Sequence, residues 1–240
     1  MQDTQTMKDN NQFSSYKNQF ASMYAIIFDM DGVLIDSEPI WKDAGIELFT
    51  RLGVPMTRER MAETMGMRCD EVVALRYASN PWEGMTVGEA SDELIRLVVE
   101  KTKALGQALP GALSAIRIAQ DMGVKTAIAS SSPMVLIEAV IEHLGIGGFD
   151  SLHSAFSEKR GKPAPDVYLA TAKALDILPE HCIVIEDSLN GMKAAKAAGM
   201  TCIGIPDARY FSHEQVSGVA DHIFDSLESC TREQFVSLFV

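Results

Sequence analysis

Two aspartates separated by one residue, Asp29 and Asp31, follow a short apolar run and precede Gly32. Side chains two residues apart on an extended strand point to the same side, so we expect both carboxylates on one face. One carboxylate of such a pair can attack an electrophile or bind a metal while the other moves a proton. A solvated acidic turn is the alternative interpretation of this motif taken alone.

A second acidic pair, Glu186-Asp187, ends another apolar run and precedes a predicted helix. Carboxylates buried here without a cation would be destabilising, because a charge loses its hydration on burial. Asp187 together with Asp29 would supply the hard oxygen ligands that suit Mg²⁺. Helix capping by Asp187 or Ser188 is an alternative that is compatible with metal binding.

Two further motifs carry groups that bind anions. The stretch Ser130–Ser132 follows an apolar run and precedes a predicted helix, where hydroxyls and free amides bind phosphate. Lys162 lies between a glycine and a proline just before another predicted helix, which would aim it into a site. A serine cap and a lysine on a surface loop are the respective alternatives.

Short apolar runs that alternate with helical segments position these motifs. The alternation predicts an α/β fold, a doubly wound parallel sheet of Rossmann-like type. Ligands of such sheets bind at the carboxyl ends of the strands, so we expect the four motifs to form one phosphoryl-transfer site. The predicted strands are 25–28, 124–129, 149–153, 182–185, 201–205 and 223–224, and the predicted core helices are 112–121, 134–144, 165–175, 189–198 and 232–239.

Residues 38–107 interrupt this alternation with helical patterns only, at 40–52, 57–65, 69–78 and 87–105. An insertion of this length after the first strand predicts a small all-helical cap domain on a core made of residues 22–37 and 108–240. Arg76, within the third of these segments, is interpreted as a solvated helix charge. Residues 1–21 are polar and amide-rich, which predicts an N-terminal tail outside the core.

Composition excludes several classes of function. The 240 residues carry 21 Lys and Arg against 33 Asp and Glu, a formal charge of −12 that makes nucleic acid an unfavourable partner. We find no apolar run long enough to cross a bilayer and no secretory signal in the first twenty residues. The four cysteines form no CxxC motif, which favours reduced thiols in the cytoplasm. We expect a cytoplasmic monomer that binds a small phosphorylated metabolite and neither nucleic acid nor membrane.

In this order, the motifs resemble those of the haloacid dehalogenase superfamily of phosphatases and phosphomutases, in the subgroup with a helical cap inserted after the first strand. The resemblance covers about Tyr24 to Asp225. Within the superfamily, bacterial phosphatases of 2-deoxyglucose 6-phosphate and hexitol phosphates look most similar. The stretches that carry the resemblance are 28–38, 129–132, 161–166 and 185–191, with weaker matches at 36–41 and 80–82.

The resemblance implies roles for the acidic residues. Asp29 would attack phosphorus and become an aspartyl-phosphate, and Asp31 would protonate the leaving alkoxide and then activate water. Mg²⁺ would be held by Asp29, the backbone carbonyl of Asp31 and Asp187, with Glu186 close to the metal or its waters.

The resemblance also implies which residues bind the substrate. Ser130, the amide of Ser131 and Lys162 would bind the phosphoryl oxygens, and the cap would close over them and exclude water. Glu38 and Trp41, near the hinge, and Arg68, in a predicted loop of the cap, are the candidates for contacts with the rest of the substrate. Packing in the core of the cap is the alternative for Trp41.

The expected function is hydrolysis of a sugar or sugar-alcohol phosphate, with three alternatives. A β-phosphoglucomutase shares the core motifs, but the known mutases have histidine where this chain has Trp41. A true dehalogenase lacks the second aspartate, here Asp31. A non-catalytic phosphate-binding protein would be expected to have lost Asp29, Asp31 or Lys162, and all three are present.

Overall fold

A computed structural model describes residues 23–209 and 211–239, and six strands lie within them: β1 (Ala25–Phe28), β2 (Lys125–Ser130), β3 (Ser151–Ser154), β4 (Cys182–Glu186), β5 (Thr201–Gly204) and β6 (His222–Ile223). They form one parallel sheet in the order β3-β2-β1-β4-β5-β6. The predicted doubly wound parallel sheet is confirmed, and its strand order reverses between β1 and β4. The tail predicted for residues 1–21 lies outside the described residues.

The helices in the described residues are α1 (Glu38–Arg51), α2 (Arg58–Ala62), α3 (Cys69–Ser79), α4 (Val87–Leu105), α5 (Ala112–Asp121), α6 (Met134–Leu144), α7 (Asp166–Leu175), α8 (Leu189–Ala197), α9 (His213–Ser217) and α10 (Arg232–Leu238). Helices α4, α5 and α6 have the predicted bounds. The short α9 was not predicted; Ser212 and Gln215 begin it with a capping box. Among the helices of the described ranges, none combines the length and hydropathy of a bilayer span.

The central strands β1 and β4 are buried on both faces, because every residue of β1 and all but the last residue of β4 are apolar. Ile26 and Phe28 belong to one hydrophobic cluster, which includes residues of α5 and α6. Ala25 and Ile27 face the opposite cluster, which includes residues of α7 and α8. This alternation follows from the period of two along a strand, and it leaves the strand ends as the place for polar side chains.

Helices α1 to α4 occupy the predicted insertion and pack on each other through Leu48, Phe49, Leu94 and Val98. Their apolar interior is continuous with the cluster on the α5–α6 face of the sheet. The division into a core and a cap at residues 38–107 therefore stays a prediction. The interpretation of Arg76 as a solvated helix charge is wrong. Arg76 is only 4% exposed, and its guanidinium donates hydrogen bonds within the insertion, to Glu63 and to a main-chain carbonyl.

The four cysteines, Cys69, Cys182, Cys202 and Cys230, are free thiols and all are buried. Burial raises the pKa of each of them, in the case of Cys69 to about 12. They therefore act as small apolar side chains of the core.

Candidate active site

Three neighbouring strands end together at the centre of the sheet. Phe28 of β1 pairs with Ile128 of β2 and with Ile185 of β4. The residues that follow these three therefore lie next to one another at the carboxyl edge of the sheet. The amide of Asp29 donates to the carbonyl of Ile185 at 3.0 Å, which continues the ladder by one residue. The order of the strands thus brings Asp29 and Glu186 side by side although they are far apart in sequence.

The turn after the first motif requires glycine. Gly32 has φ +77°, and a Cβ on it would collide with the carboxylate of Asp187. Its amide donates to the carbonyl of Ile35 at 2.9 Å and closes the turn. The absence of a side chain at this position lets the loop after β1 approach the loop after β4.

Lys162 is at the centre of the acidic residues and is only 3% exposed. Its Nζ donates to Oε1 of Glu186 at 2.6 Å, to Oδ1 of Asp29 at 2.7 Å and to the carbonyl of Ala129 at 3.3 Å. Burial opposes the charge of the ammonium group, but Asp29 and Glu186 outweigh burial and raise the pKa of Lys162. Burial raises the pKa of Asp29 to about 8, and Lys162 limits the rise.

Glu186 is fully buried and accepts five hydrogen bonds from described residues. Its Oε1 accepts from Lys162 and from the hydroxyl of Tyr168 at 2.6 Å. Its Oε2 accepts from the amides of Asp187 and Ser188 and from the Ser188 hydroxyl, each at 3.1 Å. Ser188 also caps α8 by accepting from the amide of Gly191 at 3.1 Å. The same residue thus caps the helix and binds Glu186, so the capping interpretation is compatible with an acidic site.

One carboxylate oxygen from each of Asp29, Glu186 and Asp187 lies within 4.8 Å of the others. Oδ2 of Asp187 is buried and has no hydrogen-bond partner within residues 23–209 and 211–239. Burial, and after it the negative charges of Glu186 and Asp29, raises the pKa of Asp187 well above its usual range. A hard divalent cation fits this set, because it would satisfy the unpaired oxygen and offset the repulsion. The expected contribution of the Asp31 carbonyl stays a prediction.

Asp31 is held from two directions by donated hydrogen bonds. Its Oδ1 accepts from Ser37 Oγ at 2.6 Å and from Trp41 Nε1 at 3.0 Å. Its Oδ2 accepts from Ser132 Oγ at 2.7 Å and from Ser130 Oγ at 3.3 Å. Ser37 precedes α1 at the capping position, yet its side chain makes no capping bond to that helix. The Asp31 carboxylate thus links the start of α1 to the end of β2.

Ser131 contacts the helical insertion rather than the acidic cluster. Its hydroxyl donates to the carbonyl of Gly66 at 2.8 Å. The side-chain amide of Asn190 donates to the neighbouring carbonyl of Met65 at 3.4 Å. The role expected for the Ser131 amide in binding phosphate stays a prediction.

One cavity joins these groups with residues of the helical insertion. The predicted residues Glu38 and Trp41 line it. Burial raises the pKa of Glu38, and the nearby Lys42 limits the rise. The wall also contains residues from α1, α2 and the loop before α3; the lining includes Asp29, Asp31, Ser37, Lys42, Met61, Thr64, Gly66, Ser130, Ser131, Ser132, Lys162 and Asp187.

Arg68, expected to touch the substrate, does not line this cavity. Its Nη1 donates to the carbonyls of Ala155 and Glu158 at 3.1 and 3.0 Å. Its guanidinium pairs with Asp70 and lies 4.9 Å from the ring centre of Phe156. The structure therefore brings together all of the predicted site residues except Arg68, which bridges the insertion to the loop after β3.

Tyr168 and Lys42 belong to the site but were not predicted from the sequence. Tyr168 lies on the apolar face of α7, so its residue type there predicts a core side chain. Only its position shortly after Lys162 could have suggested a role in the site. Lys42 lies four residues after Glu38, a spacing that signals an ion pair on a helix. That spacing could have placed Lys42 beside the predicted residue.

Comparison with known proteins confirms the family that the sequence motifs resemble. A sequence model of the haloacid dehalogenase-like hydrolases matches residues 23–199. Hexitol phosphatase B of Escherichia coli is 39% identical over 184 residues, which cover 76% of this chain and 83% of that protein.

Two crystal structures are similar over most of the chain. CbbY from Rhodobacter sphaeroides in complex with xylulose-(1,5)-bisphosphate is 30% identical, with a TM-score of 0.76, covering 85% of this chain and 95% of that chain. β-Phosphoglucomutase from Clostridium difficile is 25% identical, with a TM-score of 0.78, covering 90% of this chain and 97% of that chain.

Proposed function

The chain belongs to the haloacid dehalogenase-like hydrolases, and on that basis we propose that it is a Mg²⁺-dependent phosphatase of a small sugar or sugar-alcohol phosphate. The observation that carries the proposal is the meeting of Asp31 and Lys162 in one cavity with Asp29, which also belongs to a cluster of three carboxylates with Glu186 and Asp187. The identity with hexitol phosphatase B supports a hydroxyl-rich leaving group.

In the first step, a carboxylate oxygen of Asp29 attacks phosphorus as the bond from phosphorus to the ester oxygen breaks. The product is an aspartyl-phosphate, and the alcohol leaves after taking a proton from Asp31. Lys162, which contacts Asp29, would offset the charge of the transferring phosphoryl oxygens, and the hydroxyl of Ser130 would donate a hydrogen bond to them. In this step Glu186 and Tyr168 hold Lys162 in place.

In the second step, Asp31 takes a proton from water as the water oxygen attacks the aspartyl-phosphate. The bond from phosphorus to Asp29 breaks, and inorganic phosphate leaves with Asp29 regenerated. At the end of this step Asp31 is protonated again, and it can protonate the leaving alkoxide of the next substrate. The hydrogen bonds from Ser37, Trp41 and Ser132 support this role because they fix the carboxylate in the cavity.

Mg²⁺ would be held by Asp29 and Asp187, with Glu186 beside it. When bound, the ion would offset the charge that gathers on the phosphoryl group. Asp187 supports this placement most directly, since its buried Oδ2 has no partner among the described groups.

The test is a screen of purified protein for inorganic phosphate released from sugar, polyol and nucleoside monophosphates, with Mg²⁺ and with chelator. We expect steady release from a hexitol phosphate or 2-deoxyglucose 6-phosphate, lost in chelator. Asp29→Asn is the inactive control, because it keeps the shape and removes the attacking charge. Release that survives in Asp29→Asn at a tenth of the original rate, with deamidation excluded, would contradict the covalent mechanism.

A β-phosphoglucomutase is the second candidate, favoured by the structural similarity to that enzyme. Trp41 argues against it, because an indole N–H donates its hydrogen bond and exchanges no proton with the substrate. A mutase must also protect its aspartyl-phosphate from water. Interconversion of β-glucose 1-phosphate and glucose 6-phosphate with little phosphate release would favour the mutase over the phosphatase.

A further inference from the structure

Lys42, on the first helix of the insertion, is buried in the wall of the catalytic cavity. It is only 3% exposed, and it lines the same cavity as Asp29, Asp31 and Lys162. A lysine is rarely buried to this degree unless its charge is matched. The mechanism above uses Lys162 for the phosphoryl group and gives Lys42 no task.

The charge matched to Lys42 is Glu38, one helical turn earlier. Nζ of Lys42 lies 3.8 Å from Oε2 of Glu38, and both side chains are largely buried, at 4% and 12% exposed. Pairs at this spacing on a helix surface stabilise it only slightly. Lys42 and Glu38 differ from such a surface pair, because both side chains are largely buried and both line the cavity.

The pair is long, and both of its residues line the cavity, so a bound molecule can reach both charged groups. At 3.8 Å the two heads attract each other but lie beyond a normal hydrogen-bond length. A hydroxyl group donates and accepts at once, so it can accept from an ammonium while donating to a carboxylate. Neighbouring hydroxyls of a polyol present such groups along the chain.

An anionic group would gain little from the same pair. Lys42 attracts it, but Glu38 repels it from nearly the same place, and Asp31 lies close enough to Glu38 to raise its pKa further. A second phosphate or a carboxylate would lose its hydration without a net positive charge to replace it. The pair therefore discriminates by charge as well as by hydrogen bonding.

We propose that Lys42 and Glu38 act together as the specificity site for the leaving group, which binds the hydroxyls of a neutral polyol or sugar and disfavours a second anionic group. The inference rests on the proposed phosphatase function and deepens it, since it selects monophosphates of neutral, hydroxyl-rich alcohols over bisphosphates. It assigns a role to Lys42 in recognition and none in the bond-breaking step.

The experiment compares kcat/KM for three substrates that all have primary leaving alkoxides: a hexitol 6-phosphate, hexyl phosphate and a hexitol 1,6-bisphosphate. Lys42→Met keeps the length of the side chain and removes its charge. Lys101→Met is the matched control, because Lys101 pairs with Glu47 at 3.0 Å on the outside of the same helical insertion. Thermal unfolding of each variant checks the fold, and Lys42→Gln replaces Lys42→Met if the latter does not fold.

We expect Lys42→Met to lower kcat/KM for the hexitol phosphate by about 10- to 100-fold, the loss typical of a hydrogen bond to a charged group, mainly through KM. The loss for hexyl phosphate should be much smaller, and Lys101→Met should match the wild type. Glu38→Gln removes the negative charge beside Lys42, so it should raise activity on the bisphosphate relative to the hexitol phosphate by about tenfold or more.

Equal losses for hexitol and hexyl phosphates in Lys42→Met would overturn the inference, because Lys42 would then serve only the fold or the phosphoryl group. A wild type that prefers the bisphosphate, with the preference lost in Lys42→Met, would also overturn it and make Lys42 an anion site. Both results keep phosphatase activity. Failure of the proposed function differs from them, since the wild type would then release no phosphate from any substrate.

Discussion

The indole nitrogen of Trp41 donates a hydrogen bond to Oδ1 of Asp31 at 3.0 Å. An indole N–H can only donate, so it keeps Oδ1 an acceptor. The contact therefore favours Oδ2 as the oxygen that carries the proton, since the hydroxyls of Ser130 and Ser132 can turn to accept from it. The indole also orients the Asp31 carboxylate.

Replacing Trp41 with phenylalanine should slow the reactions that need a proton from Asp31. We expect Trp41→Phe to lower kcat for an alkyl phosphate by about tenfold, because one donated hydrogen bond that orients the acid is lost. The loss for p-nitrophenyl phosphate should be smaller, since its phenolate leaves unprotonated. Trp82→Phe is the matched control, as its indole donates at 3.0 Å to the carbonyl of Met85 away from the cavity.

Asp31→Asn should separate the two chemical steps. Loss of a general acid typically costs about 10²- to 10⁴-fold, so turnover of a sugar phosphate should fall within that range. An aryl phosphate should still phosphorylate Asp29, and the aspartyl-phosphate should accumulate because no base activates water. Mass spectrometry of the intact protein would detect the added phosphate. Equal losses for aryl and sugar phosphates, without accumulation, would contradict the assignment of Asp31.

Asp187→Asn should make the metal-free protein more stable while abolishing activity. The carboxylate is buried beside Glu186 and Asp29, and one of its oxygens has no partner in the part of the chain that the structure describes, so its charge opposes folding unless a cation is bound. We expect a gain of about 1 kcal/mol or more, which is roughly 2–4 °C in Tm for a chain of this size. Added Mg²⁺ should raise the Tm of the wild type and leave that of the variant nearly unchanged.

Differential scanning calorimetry in chelator and in Mg²⁺ measures both effects. Glu47→Gln is the control, since Glu47 is a partly exposed carboxylate whose partner is Lys101. It should neither stabilise the metal-free protein nor alter its response to Mg²⁺. A variant at residue 187 that still gains stability from Mg²⁺ would place the ion elsewhere.

The central strands and the ends of most helices could be predicted because local sequence determines them. β1 is an uninterrupted apolar run that ends at Asp29, and α6 begins after Pro133 and ends at Gly145. The meeting of Asp29 and Glu186 also followed, since parallel strands present their carboxyl ends at one edge. The short α9 was missed because its five residues carry little apolar periodicity.

The contacts of the helical insertion could not be predicted, because they depend on how its helices lie against the sheet. Arg76 has the spacing of an exposed charge, yet it is buried against Glu63. Lys42 looks like a solvent-facing partner of Glu38 and instead lines the cavity. Long polar side chains on a helix can turn inward or outward, and only tertiary packing decides between these directions.

Arg68 holds the insertion against the loop after β3, and this contact should govern closure over the cavity. Its Nη1 donates to the carbonyls of Ala155 and Glu158, and its guanidinium lies over Phe156. Ser131 and Asn190 make two further bonds from the core to the same loop, at Gly66 and Met65. Of the three, the Arg68 contact alone carries a full charge, so its loss should weaken closure most.

Arg68→Ala should therefore raise KM for a sugar phosphate by about 10-fold, because the closed state that binds the substrate becomes less populated. Amides in residues 64–68 and 155–158 should exchange hydrogen faster in the variant, which exchange mass spectrometry would resolve. Arg96→Ala is the control, since Arg96 pairs with Glu93 and Glu100 on the outer surface of α4. A direct substrate contact predicts a different result: a raised KM for the sugar phosphate with exchange in both segments unchanged. That outcome would return Arg68 to the binding role expected from the sequence.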